Sequence, residues 1–232
     1  MKSEDESGLN PWSRSVAVLG AEAMRRLAVA RALVVGVGGV GSWCAEALVR
    51  TGLGHIVLVD DDRVSPSNLN RQCQAARSTL GRLKVEALAE RLRDIAPEGD
   101  IVALAERYPQ PSLDLAAFDV IVDAIDSVDA KAELLLAATA RGVPVVSSMG
   151  AALRRNPARA RVTAFEKVAG DGLARALRQR FKRLGRFPAA KFACVWSDES
   201  PMDCAERGSL MTVTGTFGLL LANEVIALLT TR

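Results

Sequence analysis

The chain has 232 residues, with 30 Lys and Arg against 27 Asp and Glu and a formal net charge of +3. Its hydrophobic content of 49% is ample for a packed core, which excludes a largely disordered or fibrous protein. A net charge this small argues against a nucleic-acid-binding protein that is basic throughout, although it leaves a local basic patch open.

The cysteines and the first residues favour a reducing compartment. No two of the four cysteines form a CxxC pair, which argues against a disulfide scaffold and against a four-thiolate zinc site, so no zinc is expected. The first fourteen residues are acidic and polar, and they lack the apolar run of a secretion signal. These features predict a cytoplasmic protein.

Short apolar runs alternate with segments of helical period through the first 150 residues. Residues 1–19 are predicted as a flexible arm, and good helix formers predict a helix over 21–31. Strands that alternate with helices predict a Rossmann-like α/β fold, in which a mainly parallel sheet has helices on both faces. The predicted strands are residues 32–36, 55–60, 101–104, 119–124 and 144–148, and the helices between them include 42–52, 82–95 and 128–141.

After residue 150 the alternation weakens. Three more strands are predicted over 160–165, 192–196 and 211–215, where they would form an antiparallel C-terminal extension of the sheet. Residues 210–229 are apolar over about the length of a membrane span, but Glu224 lies within the run. We therefore favour a buried strand followed by a helix in the core or at a subunit interface over a membrane span.

A glycine motif directly follows the first predicted strand. Gly36, Gly38 and Gly41 have the GxGxxG spacing between a strand and a helix, and Gly39 adds a fourth glycine. Such glycines let the backbone approach a phosphate, and the next helix offers unpaired N–H groups to an anion. Asp60 ends the second strand, where a carboxylate can accept hydrogen bonds from ribose hydroxyls. The motif predicts a nucleotide site, with a purely structural glycine turn as the alternative.

Taken alone, the glycine motif would suit a nicotinamide-dependent dehydrogenase. The usual groups for hydride chemistry are missing, however. His55 is the single histidine and starts a strand, where a structural role is the simpler interpretation. Tyr108 is the single tyrosine, and no lysine follows it at a spacing of four, so a tyrosine–lysine acid–base pair is not available.

Three charged residues favour a nucleoside triphosphate instead. Arg71 follows the Asn68-Leu69-Asn70 loop, Lys84 lies near the start of its helix, and Asp126 comes just after the fourth strand. In open α/β sheets, ligand groups gather beyond the carboxyl ends of the strands. Two cations and a carboxylate at that edge suit a triphosphate with Mg²⁺, because the cations neutralise developing charge and the carboxylate holds the metal. Taken singly, each residue has an alternative interpretation as a surface cation or a helix cap.

Five segments occur in an order that is specific to one family. They are GVGGVGSWCAEALVRTG, VLVDDDRVSPSNLNRQ, GRLKVEALAERLRDIAP, DVIVDAIDS and GVPVVSSMG. Over roughly residues 15–150 the chain thus resembles the ThiF/MoeB/HesA family of adenylating enzymes, which are related to ubiquitin-activating enzymes. The resemblance implies that a carboxylate attacks the α-phosphorus of ATP and forms an acyl-adenylate and pyrophosphate.

The same resemblance implies roles for individual residues. Arg71 and Lys84 would bind the phosphates as catalytic residues, and Asp126 would be both catalytic and the Mg²⁺ ligand. A homodimer is implied too, in which Arg14 is the candidate for an arginine that reaches the partner's site. The implied ATP-binding residues are Gly36, Gly38, Gly39, Gly41, Asp60, Asp62, Asn68, Arg71, Gln72 and Lys84.

The C-terminal part resembles one branch of the family, which dehydrates threonylcarbamoyladenosine beside the anticodon of tRNA. Its segments ACVWS, MDCA and MTVTGTFG carry this likeness. In that branch ATP activates the threonyl carboxylate, and the neighbouring carbamoyl group then attacks it, so that proximity supplies much of the acceleration. A cysteine-desulfurase or sulfur-acceptor system is implied as a possible partner. The predicted organisation is an arm over 1–19, an adenylation core over 20–150 and a basic substrate-binding, sheet-completing region over 151–232.

Other functions remain open at this point. An enzyme that adenylates the C-terminus of a ubiquitin-like or sulfur-carrier protein would expect Cys194 or Cys204 to form a thioester or persulfide. A nucleotide-sensing module would bind ATP without turnover.

Partitioning the net charge reveals a basic segment. Residues 153–191 contain twelve Lys and Arg and two Asp and Glu, so the segment carries +10 and the remaining chain −7. Within it, the periodicity over 173–184 predicts a helix with one apolar and one basic face. The basic face favours RNA over a merely solvated or membrane-surface helix, and Phe187 or Phe192 would be available to stack on a base. The candidate RNA-binding residues are Arg175, Arg178, Lys182, Arg183 and Arg186.

Overall fold

Seven strands form one sheet in the computed structural model, which describes residues 10–110, 113–206 and 208–231. The strands are β1 (Arg31–Val35), β2 (His55–Val59), β3 (Asp100–Leu104), β4 (Val120–Asp123), β5 (Val145–Ser148), β6 (Ala160–Ala164) and β7 (Ala193–Ser197). Their order is β3-β2-β1-β4-β5-β7-β6, and every neighbouring pair is parallel except the antiparallel pair of β6 and β7. The predicted Rossmann-like fold, with a mainly parallel sheet and an antiparallel C-terminal extension, is therefore confirmed.

Seven α-helices accompany the sheet within these residues. They are α1 (Ser13–Leu19), α2 (Ala21–Val29), α3 (Gly41–Thr51), α4 (Lys84–Ile95), α5 (Val128–Ala140), α6 (Gly172–Leu184) and α7 (Met211–Thr230).

The sheet is covered on both faces because its central strands direct buried apolar residues to both. In β1, Ala32 and Val34 point to one face and Leu33 and Val35 to the other, and all four are buried. Helices α3, α4 and α7 pack on the first face, while α5 and α6 pack on the second. A strand buried on both sides shows no alternation of polar and apolar residues, which is why β1 appears in the sequence as a continuous apolar run.

The strand predicted over residues 211–215 is wrong, since these residues form the first turns of α7. Buried residues recur at a spacing of four along the whole segment, beginning with Val213 and Phe217. The threonines fit a helix because their hydroxyls donate to earlier carbonyls; Thr216 Oγ1, for example, lies 2.7 Å from the Thr212 oxygen. One continuous helix therefore replaces the predicted strand and helix.

Helix α7 is long and apolar enough to span a membrane, but half of its most apolar stretch is buried within this fold. A Cβ atom on Gly218 would lie 2.5 Å from the Val40 oxygen and 2.8 Å from the Trp43 Cβ. The glycine therefore permits α7 to pack against the start of α3. This contact supports the predicted core helix.

The N-terminal arm is only partly as predicted. Residues 13–19 of the predicted flexible arm form α1, and Trp12 donates from Nε1 to the Val49 oxygen at 3.4 Å. Residues 1–9 lie outside the described residues. The segment after residue 150 supplies β6, β7, α6 and α7, so it completes the same sheet. The boundary at residue 150 remains a prediction.

Candidate active site

The sheet reverses its order of connection at β1, which lies between β2 and β4. At such a point the loops after adjacent strands diverge and leave a crevice outside the carboxyl ends. A cavity of about 680 Å³ occupies this position. Its lining includes the glycine loop after β1, the acidic segment after β2, the loop after β4, residues 148–154 after β5 and residues 171–173 at the start of α6.

Two glycines of the motif are required by the chain's own packing. A Cβ atom on Gly41 would lie 1.9 Å from the Gly36 oxygen, and one on Gly36, whose φ is +87°, would lie 2.7 Å from the Ala124 oxygen. In contrast, the nearest atom to a Cβ on Gly38 is the Gln72 side-chain nitrogen at 3.9 Å. Gly38 therefore faces open space in the cavity, where a ligand can approach the backbone.

This difference predicts opposite effects of alanine at two positions in one motif. Gly41→Ala is expected to lower the free energy of unfolding by at least about 2 kcal/mol, because its methyl group overlaps the backbone. Gly38→Ala is expected to leave stability within about 0.5 kcal/mol of wild type. It should weaken ATP binding at least about tenfold, because the methyl group occupies the approach of a phosphate. Urea unfolding and calorimetric ATP titration measure the two effects, and a Gly38→Ala variant with wild-type ATP affinity would contradict the assignment.

Asp60 lies at the cavity edge with its carboxylate held by the backbone. Its Oδ2 accepts from the Val37 nitrogen at 2.8 Å, and its Oδ1 accepts from the Asp62 nitrogen at 2.9 Å. Burial raises the pKa of this carboxyl group. A carboxylate has about four acceptor positions, so each oxygen retains one for a ribose hydroxyl.

The two predicted phosphate-binding cations line the same cavity. Lys84 begins α4 and is almost fully buried, and its Nζ lies 2.6 Å from Oδ2 of the exposed Asp62. Arg71 donates from Nη1 to the Ser67 oxygen at 2.7 Å and to the Asn70 Oδ1 at 2.9 Å. Lys84 is thus held by the segment after β2, and Arg71 is held by the loop to which it belongs.

Asn68 and Gln72, in the loop that carries Arg71, also line the cavity. Asn68 is buried and accepts at Oδ1 from the Ser65 nitrogen at 3.0 Å, which closes the turn that carries Arg71. Gln72 is buried and lines the cavity beside Gly38. The structure thereby brings all ten predicted ATP-binding residues to one region, although Gly41 is covered by the backbone rather than exposed to the cavity.

Asp126 follows β4 and is exposed within the cavity. It makes no hydrogen bond or ion pair with the described residues, so its carboxylate is available to a cation. A second acidic group consists of Asp60, Asp61 and Asp62, with carboxylate oxygens within 4.8 Å of one another. Within this group Lys84 already pairs with Asp62 and the backbone already holds Asp60, whereas Asp61, like Asp126, makes no hydrogen bond or ion pair with the described residues.

A buried ion pair that the sequence analysis missed lies under the Asp126 loop. Lys131 Nζ lies 2.8 Å from Asp123 Oδ2, and both side chains are 0% exposed. The same Nζ donates to the Ile125 oxygen at 3.1 Å, while Asp123 also accepts from the Ser147 hydroxyl at 2.7 Å and the Ile125 nitrogen at 3.2 Å. The pair thereby fixes the backbone of the residue immediately before Asp126.

The cations of α6 have two different environments. Arg178 donates from Nη2 to the Phe165 and Val168 oxygens at 2.9 and 2.7 Å, and its guanidinium lies 4.9 Å above the Phe165 ring. It therefore ties α6 to the preceding segment, unlike the other candidates. Four predicted RNA-binding cations are exposed, namely Arg175, Lys182, Arg183 and Arg186.

The two aromatic candidates for base stacking also differ. Phe187 is 63% exposed. Phe192 is buried and stacks on Phe165 with 5.1 Å between the ring centroids, so the prediction that it could stack on a base is wrong. Outside the cavity lies Arg14, which is exposed on α1 and does not line the site of its own chain.

The cysteines have different accessibility. Cys194 is buried in β7, and burial raises its thiol pKa far above the ordinary range, so it is poorly suited to nucleophilic attack. Burial raises the pKa of Cys73 to about 12. Cys204 is exposed.

Comparisons with known proteins show the family and the fold of the chain. The model of the ThiF family matches residues 12–232. A tRNA threonylcarbamoyladenosine dehydratase of Bacillus subtilis is 36% identical over 197 residues, covering 84% of this chain and 77% of that protein. The crystal structure of the Escherichia coli dehydratase TcdA in complex with ATP superposes with a TM-score of 0.89 at 33% identity, covering 98% of this chain and 97% of that one. The E. coli molybdopterin-synthase adenylyltransferase is 32% identical over 202 residues, covering 86% and 72%.

Proposed function

The chain belongs to the ThiF family, and we propose that it uses ATP to dehydrate threonylcarbamoyladenosine in tRNA. The observation that carries the proposal is the likeness, over nearly the whole of both chains, to a tRNA dehydratase bound to ATP. The complex of the same E. coli enzyme with AMP, at a TM-score of 0.90, is consistent with adenylation, because an acyl-adenylate releases AMP when its carbonyl group is attacked. The chain is therefore an ATP-dependent adenylating enzyme.

The nucleotide would lie along the carboxyl ends of β1, β2 and β4. Backbone N–H groups of the glycine loop and the start of α3 would face the phosphates, and Asp60 would accept from the ribose hydroxyls. Arg71 and Lys84 would neutralise charge that develops on the departing pyrophosphate. Asp62 would hold the Lys84 ammonium in place through its 2.6 Å contact.

Asp126 would hold Mg²⁺ in this site. The fit rests on its exposed carboxylate inside a nucleotide-sized cavity, since Mg²⁺ prefers one or two carboxylates together with phosphate oxygens and water. When bound, the ion would neutralise negative charge on the phosphates.

The reaction needs no nucleophile from the protein. A threonyl carboxylate oxygen attacks the α-phosphorus and pyrophosphate leaves, which gives an acyl-adenylate. The neighbouring carbamoyl group then attacks the activated carbonyl and AMP leaves with the former carboxylate oxygen, so the tRNA loses one water overall. The cavity would hold both reacting groups in place, and proximity can contribute about 7–11 kcal/mol to such steps.

Helix α6 would bind the tRNA backbone. It begins at the cavity with Gly172 and Leu173 and carries exposed Arg175, Lys182 and Arg183 along its length. A modified base inserted in the cavity would thus place neighbouring phosphates over a row of cations. Exposed Arg186 and Phe187, just beyond the helix, would extend this surface.

Arg14 is exposed on α1 and absent from its own cavity, which supports a homodimer in which it reaches the partner's site. We propose a cytoplasmic enzyme that cooperates with a cysteine-desulfurase or sulfur-acceptor system.

The decisive experiment is mass spectrometry of tRNA after incubation with the protein, ATP and Mg²⁺. Threonylcarbamoyladenosine should lose the mass of one water molecule, and one AMP should form for each base converted. The same tRNA without the modification is the control and should stimulate no AMP formation. If a carrier protein with a diglycine tail stimulates AMP formation while the modified tRNA does not, the chain is instead a carrier-activating enzyme, as its likeness to the molybdopterin-synthase adenylyltransferase would allow.

A further inference from the structure

The wall of the cavity that follows β5 contains a buried cation that the proposed nucleotide site does not use. Arg154 lines the cavity and is only 4% exposed. Its Nε and Nη1 atoms are buried and have no hydrogen-bond partner among the residues that the structure describes. Because unpaired buried donors of a charged group are costly, such donors indicate a ligand.

The residue before Arg154 has an unusual backbone conformation. Leu153, the preceding residue, has a φ of +61° and is the one non-glycine residue with positive φ in the described parts of the chain. Its nitrogen donates to the Gly208 oxygen at 2.9 Å, and its oxygen accepts from the Met202 nitrogen at 2.8 Å. This strained conformation costs about 1–3 kcal/mol and is held from both sides by the same neighbouring segment.

Asp171 balances the charge of Arg154 without occupying all its donors. The Arg154 Nη2 atom lies 3.7 Å from Asp171 Oδ2, beyond hydrogen-bond distance. The carboxylate is already engaged, since Oδ1 accepts from the Ala174 nitrogen at 2.9 Å and Oδ2 from the Gly150 nitrogen at 3.2 Å. Asp171 therefore makes burial of the guanidinium tolerable, and two donor nitrogens remain for a further anion.

The order of the strands separates this cation from the phosphate-binding groups. Arg154 follows β5, the glycine loop follows β1, and β4 with Asp126 lies between them. An anion on Arg154 would thus lie across Asp126 from the glycine loop. A planar guanidinium also matches the geometry of a carboxylate.

We propose that Arg154 binds the threonyl carboxylate of the modified adenosine and directs it towards the α-phosphate. This inference rests on the proposed function. It identifies a substrate-binding residue for the group that reacts, in a part of the cavity distinct from the predicted ATP-binding residues.

The test compares two anticodon stem-loop RNAs that differ by one charge. One carries threonylcarbamoyladenosine and the other its methyl ester, and binding is measured by fluorescence anisotropy. The wild type is expected to bind the carboxylate form about tenfold or more tightly, as for a charge-assisted hydrogen bond. Arg154→Gln should abolish this preference without changing ATP affinity. Arg155→Gln is the matched control, because Arg155 is the adjacent arginine and is exposed.

A folded Arg154→Gln variant that still prefers the carboxylate RNA over its methyl ester would overturn the inference. A variant that keeps this preference but loses ATP binding would overturn it too, since the guanidinium would then bind a phosphate. If the Arg154→Gln variant does not fold, the same binding comparison is made with Arg154→Lys. A lysine lacks the planar fork, so the preference should fall several-fold, and a Lys variant with the wild-type preference would contradict the proposal. Dehydration of modified tRNA by the wild type is measured separately, so failure of the proposed function is distinguishable.

Discussion

Replacement of Asp126 by alanine is expected to lower kcat/KM at least about 10³-fold, which corresponds to about 4 kcal/mol of transition-state stabilisation. The carboxylate is exposed in the cavity after β4, where it is proposed to hold the metal that neutralises the phosphates. It makes no hydrogen bond with other residues in the described ranges, so its removal should leave the thermal midpoint of unfolding unchanged. Loss of activity without loss of stability would separate chemistry from folding.

The measurement is AMP formation from ATP and modified tRNA over a range of Mg²⁺ concentrations, with the thermal midpoint as the folding control. Asp94→Ala provides a matched substitution, because Asp94 is an exposed aspartate on α4 that does not line the cavity. Arg71→Ala is a less clean test, since the Arg71 guanidinium also holds its own loop through Ser67. An Asp126→Ala variant that retained more than about a tenth of wild-type turnover would show that this carboxylate is not the metal ligand.

The nucleotide half of the site could be predicted because its residues occur at the ends of local patterns. Each parallel strand is a continuous apolar run, so its carboxyl end is visible in the sequence, and parallel strands bring these ends together. This argument predicts that Asp60 and Asp126 lie at one edge of the sheet, and both line the cavity there. The glycines were found by spacing, but only packing distinguishes Gly41, which faces backbone, from Gly38, which faces the cavity.

Residues whose role depends on tertiary contacts could not be predicted in the same way. The sequence does not distinguish Lys131 from an exposed lysine in a helix, whereas in the structure its ammonium group lies beside the buried Asp123 carboxylate. Arg154 belongs to a segment of many cations, and its burial distinguishes it from Arg155. Arg178 shares the helical period of its neighbours, but contacts with Phe165 remove it from the exposed face. The start of α7 is predicted as a strand because β-branched residues favour strands locally. In the structure it is a helix, which packs on α3.

The second large effect is expected from Lys131→Met. The substitution leaves the Asp123 carboxylate fully buried with the Ser147 hydroxyl and one backbone N–H as its remaining partners. Breaking one side of a buried ion pair costs about 3–5 kcal/mol, because an uncompensated charge remains in the interior. The Ile125 oxygen would also lose its contact with the ammonium, which would loosen the loop that carries Asp126. Urea unfolding measures the loss, and Lys167→Met, at an exposed lysine, is the control.

A double variant distinguishes the buried charge from lost packing. Asp123→Asn combined with Lys131→Met removes both charges, so it should be more stable than Lys131→Met alone, since neither partner is then left as an isolated ion. If activity in the double variant remains low although stability is regained, the pair also positions the Asp126 loop for the reaction. A Lys131→Met variant within about 1 kcal/mol of wild type would mean that Ser147 and the backbone suffice to stabilise Asp123, and the pair would then be dispensable for the fold.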